Sequence, residues 1–380
     1  MKINRRKDVI VVGAGIFGLA CAWSCLQRGH SVMVIDKSGP GSGASGGLVG
    51  SLSPHAPDRW NDKKQFQFES LLMQRDYWAE IDGLSKVPSG YARVGRLIPM
   101  PSQQVREQAF ERQKEAKRNW GRAANWRILN RYKSENPEWL EPAVAPAGMV
   151  EDDLSARLFP QQAMVSLSKA IRMRGGEFTE GDEVVGIEGD RVFLRRGEYR
   201  ANAVILAAGT GSYELLNPFF GSGLGRGVKG QAMQIDAPGY IGWPTIFSNG
   251  IYIVAHSDGS VVVGSTSEEK FENPVGTDDK LDILFTEAAK ISPAIRGRPV
   301  LMRWAGVRPR GPKPDPMIGA VPDEPGLLLA TGGYKIGFGI APKVGEALAA
   351  MVDGVDVKLP ESFTVEHQIG IDQPKQYVVG

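Results

Sequence analysis

At 380 residues, with 42% hydrophobic and 23% charged residues, the chain is long enough for about two or three folded domains. Lysine plus arginine (45) nearly cancels aspartate plus glutamate (43), and a net charge of +2 gives no global field to gather nucleic acid or anionic lipid. The two cysteines, Cys21 and Cys25, and the scattered His30, His55, His256 and His367 have no metal-ligand spacing, which excludes a zinc site and a disulfide framework.

From Val9 to Leu26 the chain reads VIVVGAGIFGLACAWSCL, an uncharged stretch behind Lys2, Arg5, Arg6 and Lys7. Hydropathy alone would make it a signal peptide or a membrane segment. Gly13, Gly15 and Gly18 inside the run, and Asp8 just before it, predict instead a strand over Val9–Val12 and a helix that continues through Leu26 and stops at Gly29. A second strand over Ser31–Ile35 ends at Asp36. A G-x-G-x-x-G between strand and helix, with an acid at the tip of the next strand, is the grammar of a dinucleotide-binding turn. Gly13 would make the tight turn, Gly15 would admit a pyrophosphate to the backbone, and Gly18 would let the helix approach the sheet. Asp36 would accept a ribose 2′-OH and repel a 2′-phosphate. Cys21 and Cys25, four apart on one helix face, read as packing residues.

No second strand–helix repeat follows directly, as a nicotinamide site would have. Ser38–Ser53 is a long Gly/Ser segment instead. The chain's 47 glycines recur at two further strand ends, AVIL at 203–206 before Ala207-Ala208-Gly209-Thr210-Gly211, and LLLA at 327–330 before Thr331-Gly332-Gly333. A helix is expected from about Ala341-Pro342, with proline in its first turn. Three glycine-bearing strand ends suit one extended FAD better than NAD, with the first loop at the diphosphate and the last at the isoalloxazine ring. Ile251–Val254 and Ser260–Gly264 predict a hairpin, and Asp278–Ile291 predicts a helix. Gln103–Lys133 carries nine basic residues against three glutamates, which reads first as a solvated helical face and second as a surface for an acidic protein partner or a membrane.

These stretches, together with SLSPHA around His55, YIVAHSDGSVVVGST at 252–266, WAGVRP at 304–309, PMIG at 316–319 and the closing LLLATGGYKIGFGIAP, resemble the D-amino-acid oxidase superfamily of FAD-dependent amine oxidoreductases, glycine oxidase, sarcosine oxidase and D-amino-acid dehydrogenase among them. The resemblance spans nearly the whole chain. It implies an α/β plus α+β fold, with a Rossmann-type FAD-binding domain over 1–80, 147–215 and 316–380. A substrate domain on a mostly antiparallel sheet is implied over 81–146 and 216–315. It implies noncovalent FAD held by Gly13, Gly15, Ile16, Phe17 and Gly18, by Asp36 and Lys37, and by Ser45, Gly46, Gly47, Leu48, Val49, Gly50, Ser51 and Leu52. Further along, Val184, Ala207, Ala208, Gly209, Gly306, Arg308, Gly333, Tyr334, Lys335, Ile336 and Gly337 complete that wall.

The activity implied is oxidation of an amino-acid C–N bond to an imine by hydride transfer to flavin N5. Arg308 and Tyr252 match the family positions that hold the substrate carboxylate, and Lys335, before the last helix, would favour the reduced ring's negative charge. No histidine, serine or cysteine constellation indicates a covalent nucleophile or a general base. Lys335 in place of an arginine, Gly250 in place of a larger residue, and the added cations Arg310 and Lys313 point to a substrate other than glycine, with a second acidic group or a larger N-substituent. The acceptor would be oxygen, or a quinone or protein if the chain is a dehydrogenase. A third reading is the flavin-carrying β-type subunit of an opine-oxidase or cyanide-synthase type of complex. A cytoplasmic protein with no transmembrane segment, a small-molecule amino or imino acid substrate, no nucleic acid, and a homo-oligomer or partner subunit are the remaining expectations.

Overall fold

A computed structural model describes residues 6–131 and 138–370. β1 (Arg6–Val12), α1 (Ile16–Gln27) and β2 (Val32–Asp36) open the chain. The Gly/Ser stretch, with one short turn at Ala44–Gly46, leads to β3 (Ser51–Leu52) and the long α2 (Asp62–Ser85). β4 (Arg96–Pro99), α3 (Gln103–Asn119), β5 (Trp126–Leu129) and β6 (Met149–Asp152) follow. Next come β7 (Ala156–Arg157), α4 (Pro160–Met173), β8 (Glu177–Glu180), β9 (Val184–Glu188), β10 (Arg191–Leu194) and β11 (Gly197–Leu206). α5 (Gly211–Phe220) precedes β12 (Arg226–Asp236), β13 (Thr245–Ser248), β14 (Ile251–Ala255), β15 (Ser260–Gly264), α6 (Asp279–Ile291) and β16 (Val300–Arg310). β17 (Met317–Ala320), β18 (Leu327–Thr331), α7 (Gly337–Val352) and α8 (Val365–Ile369) complete the described chain.

Two large sheets organise these elements. The first runs β17-β18-β11-β1-β2-β8, with β1 parallel to β2 and β11, and β18 parallel to β11; β9 and β10 extend β11 as an antiparallel pair. Val9–Val12 is buried on both faces, which is why it reads as an unbroken β-branched run. Helices α1 and α7 pack against each other over this sheet. The second sheet runs β16-β12-β15-β14-β13-β4-β6-β5 and is antiparallel throughout except where β13 meets β4. The fold is therefore the mixed α/β, Rossmann-type one expected, with a mostly antiparallel second sheet.

Three particulars differ from the sequence reading or sharpen it. Met149–Asp152, assigned by sequence to the nucleotide unit, is β6 of the second sheet, where it pairs with β4 and β5. Arg96 locks that pairing through Nε to Asp152 at 2.8 Å, a buried ion pair between directly opposed residues. Helix α7 starts at Gly337, a turn earlier than expected, so Pro342 lies inside it rather than in its first turn. The backbone carbonyls of Phe338 and Gly339 accept instead from Gln74 Nε2 of α2, at 2.9 and 3.2 Å, which offsets the proline's missing donor. Cys21 and Cys25 are buried free thiols, and burial pushes Cys25 up to about 12 and Cys21 well above the usual thiol range.

The basic segment is largely engaged within the fold. Lys114 and Arg118 pair with Glu111 and Glu115 on α3, Arg112 with Asp58, and Arg127 with Glu151 and Asp153, while Arg106 donates to Ala147 O. Lys133 lies outside the described residues. Among the described residues, no helix is long and apolar enough to cross a membrane.

Candidate active site

The glycine turn is set by contact distances. Gly13 has φ +106°, and a Cβ there would fall 2.4 Å from Ala207 O at the end of β11. A Cβ on Gly18 would fall 1.9 Å from Gly13 O, so α1 can start against the tip of β1 only if both positions lack side chains. Asp36 clasps this turn: Oδ2 accepts from Ala14 N at 2.8 Å, and Oδ1 from Ser38 N and Gly39 N at 2.9 and 2.8 Å. It still lines the adjoining cavity and keeps further lone pairs for a ligand hydroxyl. Ser45 Oγ accepts from Ile16 N at 3.0 Å, which draws the Gly/Ser loop to the start of α1.

A continuous cavity of about 850 Å³ begins at this turn, where strand order reverses about β1, and reaches the second sheet. It is lined by nearly every residue expected: Gly13, Gly15, Ile16, Phe17, Asp36, Lys37, Ser45, Gly47 through Leu52, Val184, Ala207, Ala208, Gly209, Arg308 and Gly333 through Gly337, along with Tyr252. Gly18, Gly46 and Gly306 do not line it. Gly18 is spent on helix–strand contact, a Cβ on Gly46 would meet Gly41 O at 2.2 Å, and Gly306 lies beneath the Trp304 indole.

At the second-sheet end, Arg308 Nη2 donates to Ser265 Oγ at 2.6 Å and Nη1 to Thr266 O at 3.3 Å. Both partners are neutral, and Arg308 forms no ion pair among the described residues. Burial pulls its pKa below the usual arginine range, while Tyr334 and Glu268 act the other way. An unpaired guanidinium facing a cavity favours an incoming anion. Tyr252 packs its ring on Phe247, with centroids 4.5 Å apart, over the buried Arg96. Lys335 is exposed, with Nζ 5.4 Å from the Tyr334 ring centroid.

Arg310 and Lys313, read from sequence as added charge beside the anchor, do not supply it. Arg310 pairs with Glu269 at 2.9 Å and Lys313 Nζ donates to His367 O, and neither lines the cavity. Trp304, Phe247, Ser265, His55 and Gln67 also line the cavity; His55, Ser265 and Trp304 lie within the stretches that carry the resemblance but had no role assigned, and Phe247 and Gln67 lie outside them. Nothing in the spacing of those five marks them. Only the sheet register and the fold of the Gly/Ser loop bring them in.

Residues 8–351 match the family model described as DAO, FAD-dependent oxidoreductase. The chain belongs to this family. It is a FAD-dependent oxidoreductase. Glycine oxidase of Pseudomonas aeruginosa is 28% identical over 370 residues, covering 91% of this chain and 94% of the relative. The bifunctional protein ThiO/ThiG of Trichormus variabilis is 26% identical over 373 residues, and the match spans 91% of this chain but only 52% of that longer protein. The crystal structure of glycine oxidase from Geobacillus kaustophilus superposes with a TM-score of 0.83 at 24% identity, over 95% of this chain and 98% of that one. The cavity fits the family's cofactor. The close approach at Gly13 and Gly18 leaves bare N–H groups at the start of α1 for a diphosphate, Asp36 offers acceptors for a ribose, and the same cavity continues to the start of α7, where Ile336 leaves the helix without a side-chain cap.

Proposed function

We propose that this member of the DAO family oxidises the C–N bond of an amino acid or N-substituted amino acid to an imine, which water then hydrolyses. The observation that carries this reading is Arg308, a guanidinium in the same cavity as the glycine loops that among the described residues forms no ion pair and is held by Ser265 Oγ and Thr266 O. Its fork takes the substrate carboxylate on two oxygens, and the Tyr252 hydroxyl supplies a further donor. FAD, when bound, supplies the hydride acceptor. Arg308 and Tyr252 would fix the Cα–H against it. The N-terminal end of α7 and Lys335 place positive potential where negative charge accumulates on reduction.

Both cysteines are sealed in α1, so neither reaches the cofactor as a thioether, in keeping with FAD held noncovalently. Among the described residues, the nucleotide unit takes 6–80, about 153–215 and 316–370, and the substrate unit takes the rest, with β6 in the second sheet. A side chain or N-substituent larger than glycine's has room at the exposed rim of the cavity, where a Cβ on Gly250, near Tyr252, would have nothing within 4 Å. A second acidic group on the substrate has no support from Arg310 or Lys313, which are engaged elsewhere. The test is turnover of α-amino, N-alkyl-amino and α-hydroxy acids, with release of ammonia or amine measured, and with peroxide formation compared against dye reduction. Amine release from the amino acids alone supports the reading. Oxidation confined to hydroxy acids overturns it.

A further inference from the structure

His55 sits in the loop between β3 and α2 and lines the cavity together with Gln67 and Tyr252. Its backbone N–H and its ring Nδ1 converge on a single atom, Gln67 Oε1, at 2.8 and 2.5 Å. Gln67 is 3% exposed, and its Nε2 donates to Ser53 O at 3.3 Å, so the amide cannot turn over. An atom that accepts from a backbone N–H is an acceptor, so Nδ1 must carry the proton and Nε2 must present its lone pair. Nε2 has no partner among the described residues. The preceding residue ties this ring to the substrate end of the cavity: Pro54 O accepts from Arg96 Nη2 at 3.4 Å, and Arg96 also adjoins Tyr252.

We propose that His55 Nε2 receives the substrate's amine, accepting a hydrogen bond from the ammonium and then its proton. This inference rests on the amino-acid reading above. The N–H bond of the ammonium breaks with its electron pair left on nitrogen, and the proton bonds to Nε2. The nitrogen pair becomes the second C–N bond as the Cα–H leaves with its own pair as hydride to the bound flavin, and the imidazolium returns its proton to solvent. Gln67 is a positioning residue in this scheme, since it fixes the tautomer and the ring. The surroundings keep the ring neutral: burial lowers the His55 pKa, Lys63 and Lys64 on α2 add to that, and the Gln67 bond and Asp315 before β17 oppose it. Arg96 on β4, Tyr252 on β14, Arg308 on β16, and Tyr334 and Lys335 before α7 are further ionisable groups at this end. Lys63 is already paired with Asp315 at 3.1 Å, so neither adds a full charge.

The test uses the FAD-loaded enzyme and two ligands of one shape that cannot be oxidised at Cα, 2-aminoisobutyrate and isobutyrate, with binding read from the flavin spectrum across pH. 2-Aminoisobutyrate should lose affinity by about tenfold per pH unit once the ring protonates, while isobutyrate, with its concentration counted as the carboxylate form alone, should not lose affinity. His55→Gln, which keeps an acceptor but cannot titrate, should keep the preference for the amine and lose its pH dependence. His55→Phe should lose both. An amine preference and pH dependence unchanged in both variants would overturn the inference, as would equal affinities for the two ligands at every pH. If neither ligand binds at any pH, the amino-acid reading fails and the inference fails with it, so the two failures are distinguishable.

Discussion

The Arg308 guanidinium lies across the backbone of Gly230: a Cβ at position 230 would fall 1.9 Å from Nη1 and 2.1 Å from Nη2. The two residues sit on the paired strands β12 and β16, where Val228 opposes Arg308 and Gly230 opposes Gly306, so the side chain runs diagonally over a bare stretch of its neighbour. Gly230→Ala should therefore displace the guanidinium rather than the sheet. The expected result is a rise in KM of about 10–100-fold, the loss of one or two charge-assisted bonds, with thermal stability and flavin content close to unchanged. Steady-state kinetics beside a melting curve checks this, and an unchanged KM would place the anchor elsewhere.

Arg308→Lys retains a positive charge but cannot present two parallel donors. KM for an amino acid should rise about tenfold or more while FAD stays bound. Flavin absorbance relative to protein absorbance separates this outcome from simple loss of the cofactor.

Gly18→Ala sets a methyl group against Gly13 O, a backbone atom that cannot move without disturbing β11. The cost should be about 3 kcal/mol, and the purified variant should carry little or no FAD. A yellow, fully loaded variant would contradict the proposed position of the diphosphate.

Gln74 serves α7 across the helix pair, donating to Phe338 O and Gly339 O and accepting from Trp78 Nε1 at 2.8 Å. Gln74→Leu leaves buried polar atoms unpaired at about 1–3 kcal/mol, so the melting temperature should fall by about 1–4 °C. Differential scanning calorimetry reads this directly.

His256 is buried in a way that resists protonation. Burial pushes its pKa down to about 4; Nε2 is 2.9 Å from Leu48 O, the ring stacks on Phe159 at 4.7 Å, and Nδ1 has no partner. The unfolded chain binds this proton more readily than the folded one, so the stabilisation is complete above about pH 6.5 and is lost as pH falls toward 4. Chemical denaturation should show stability declining over that window, with a shallower decline in His256→Phe. Equal slopes would assign the acid sensitivity to other groups.

What was legible in the sequence was backbone chemistry. Gly13, Gly15, Gly18 and Asp36 announce the nucleotide turn because missing side chains at fixed spacing leave a local mark, and the strand ends at Leu206 and Thr331 carry the same signature. What was not legible depends on long-range pairing. Met149–Asp152 reads equally well in either unit until its partners β4 and β5 are known. Pro342 suggested a helix start, but the Phe338 carbonyl that it leaves free is capped by Gln74, 264 residues before Phe338, and the helix runs through. Arg310 and Lys313 looked free because Glu269 and the His367 carbonyl approach them only in the fold. His55 looked isolated for the same reason, its tautomer being set by Gln67 from a neighbouring helix.

If this cavity delivers an amino-acid Cα–H to a bound flavin, anaerobic titration of the FAD-loaded protein with D-, L- and N-alkyl amino acids will reveal it. At least one of them should bleach the oxidised flavin band in a single turnover, and Arg308→Lys should require a much higher concentration for the same bleaching. A flavin that stays oxidised with every α-amino and N-alkyl-amino acid, in protein whose FAD is reduced normally by dithionite, would contradict it.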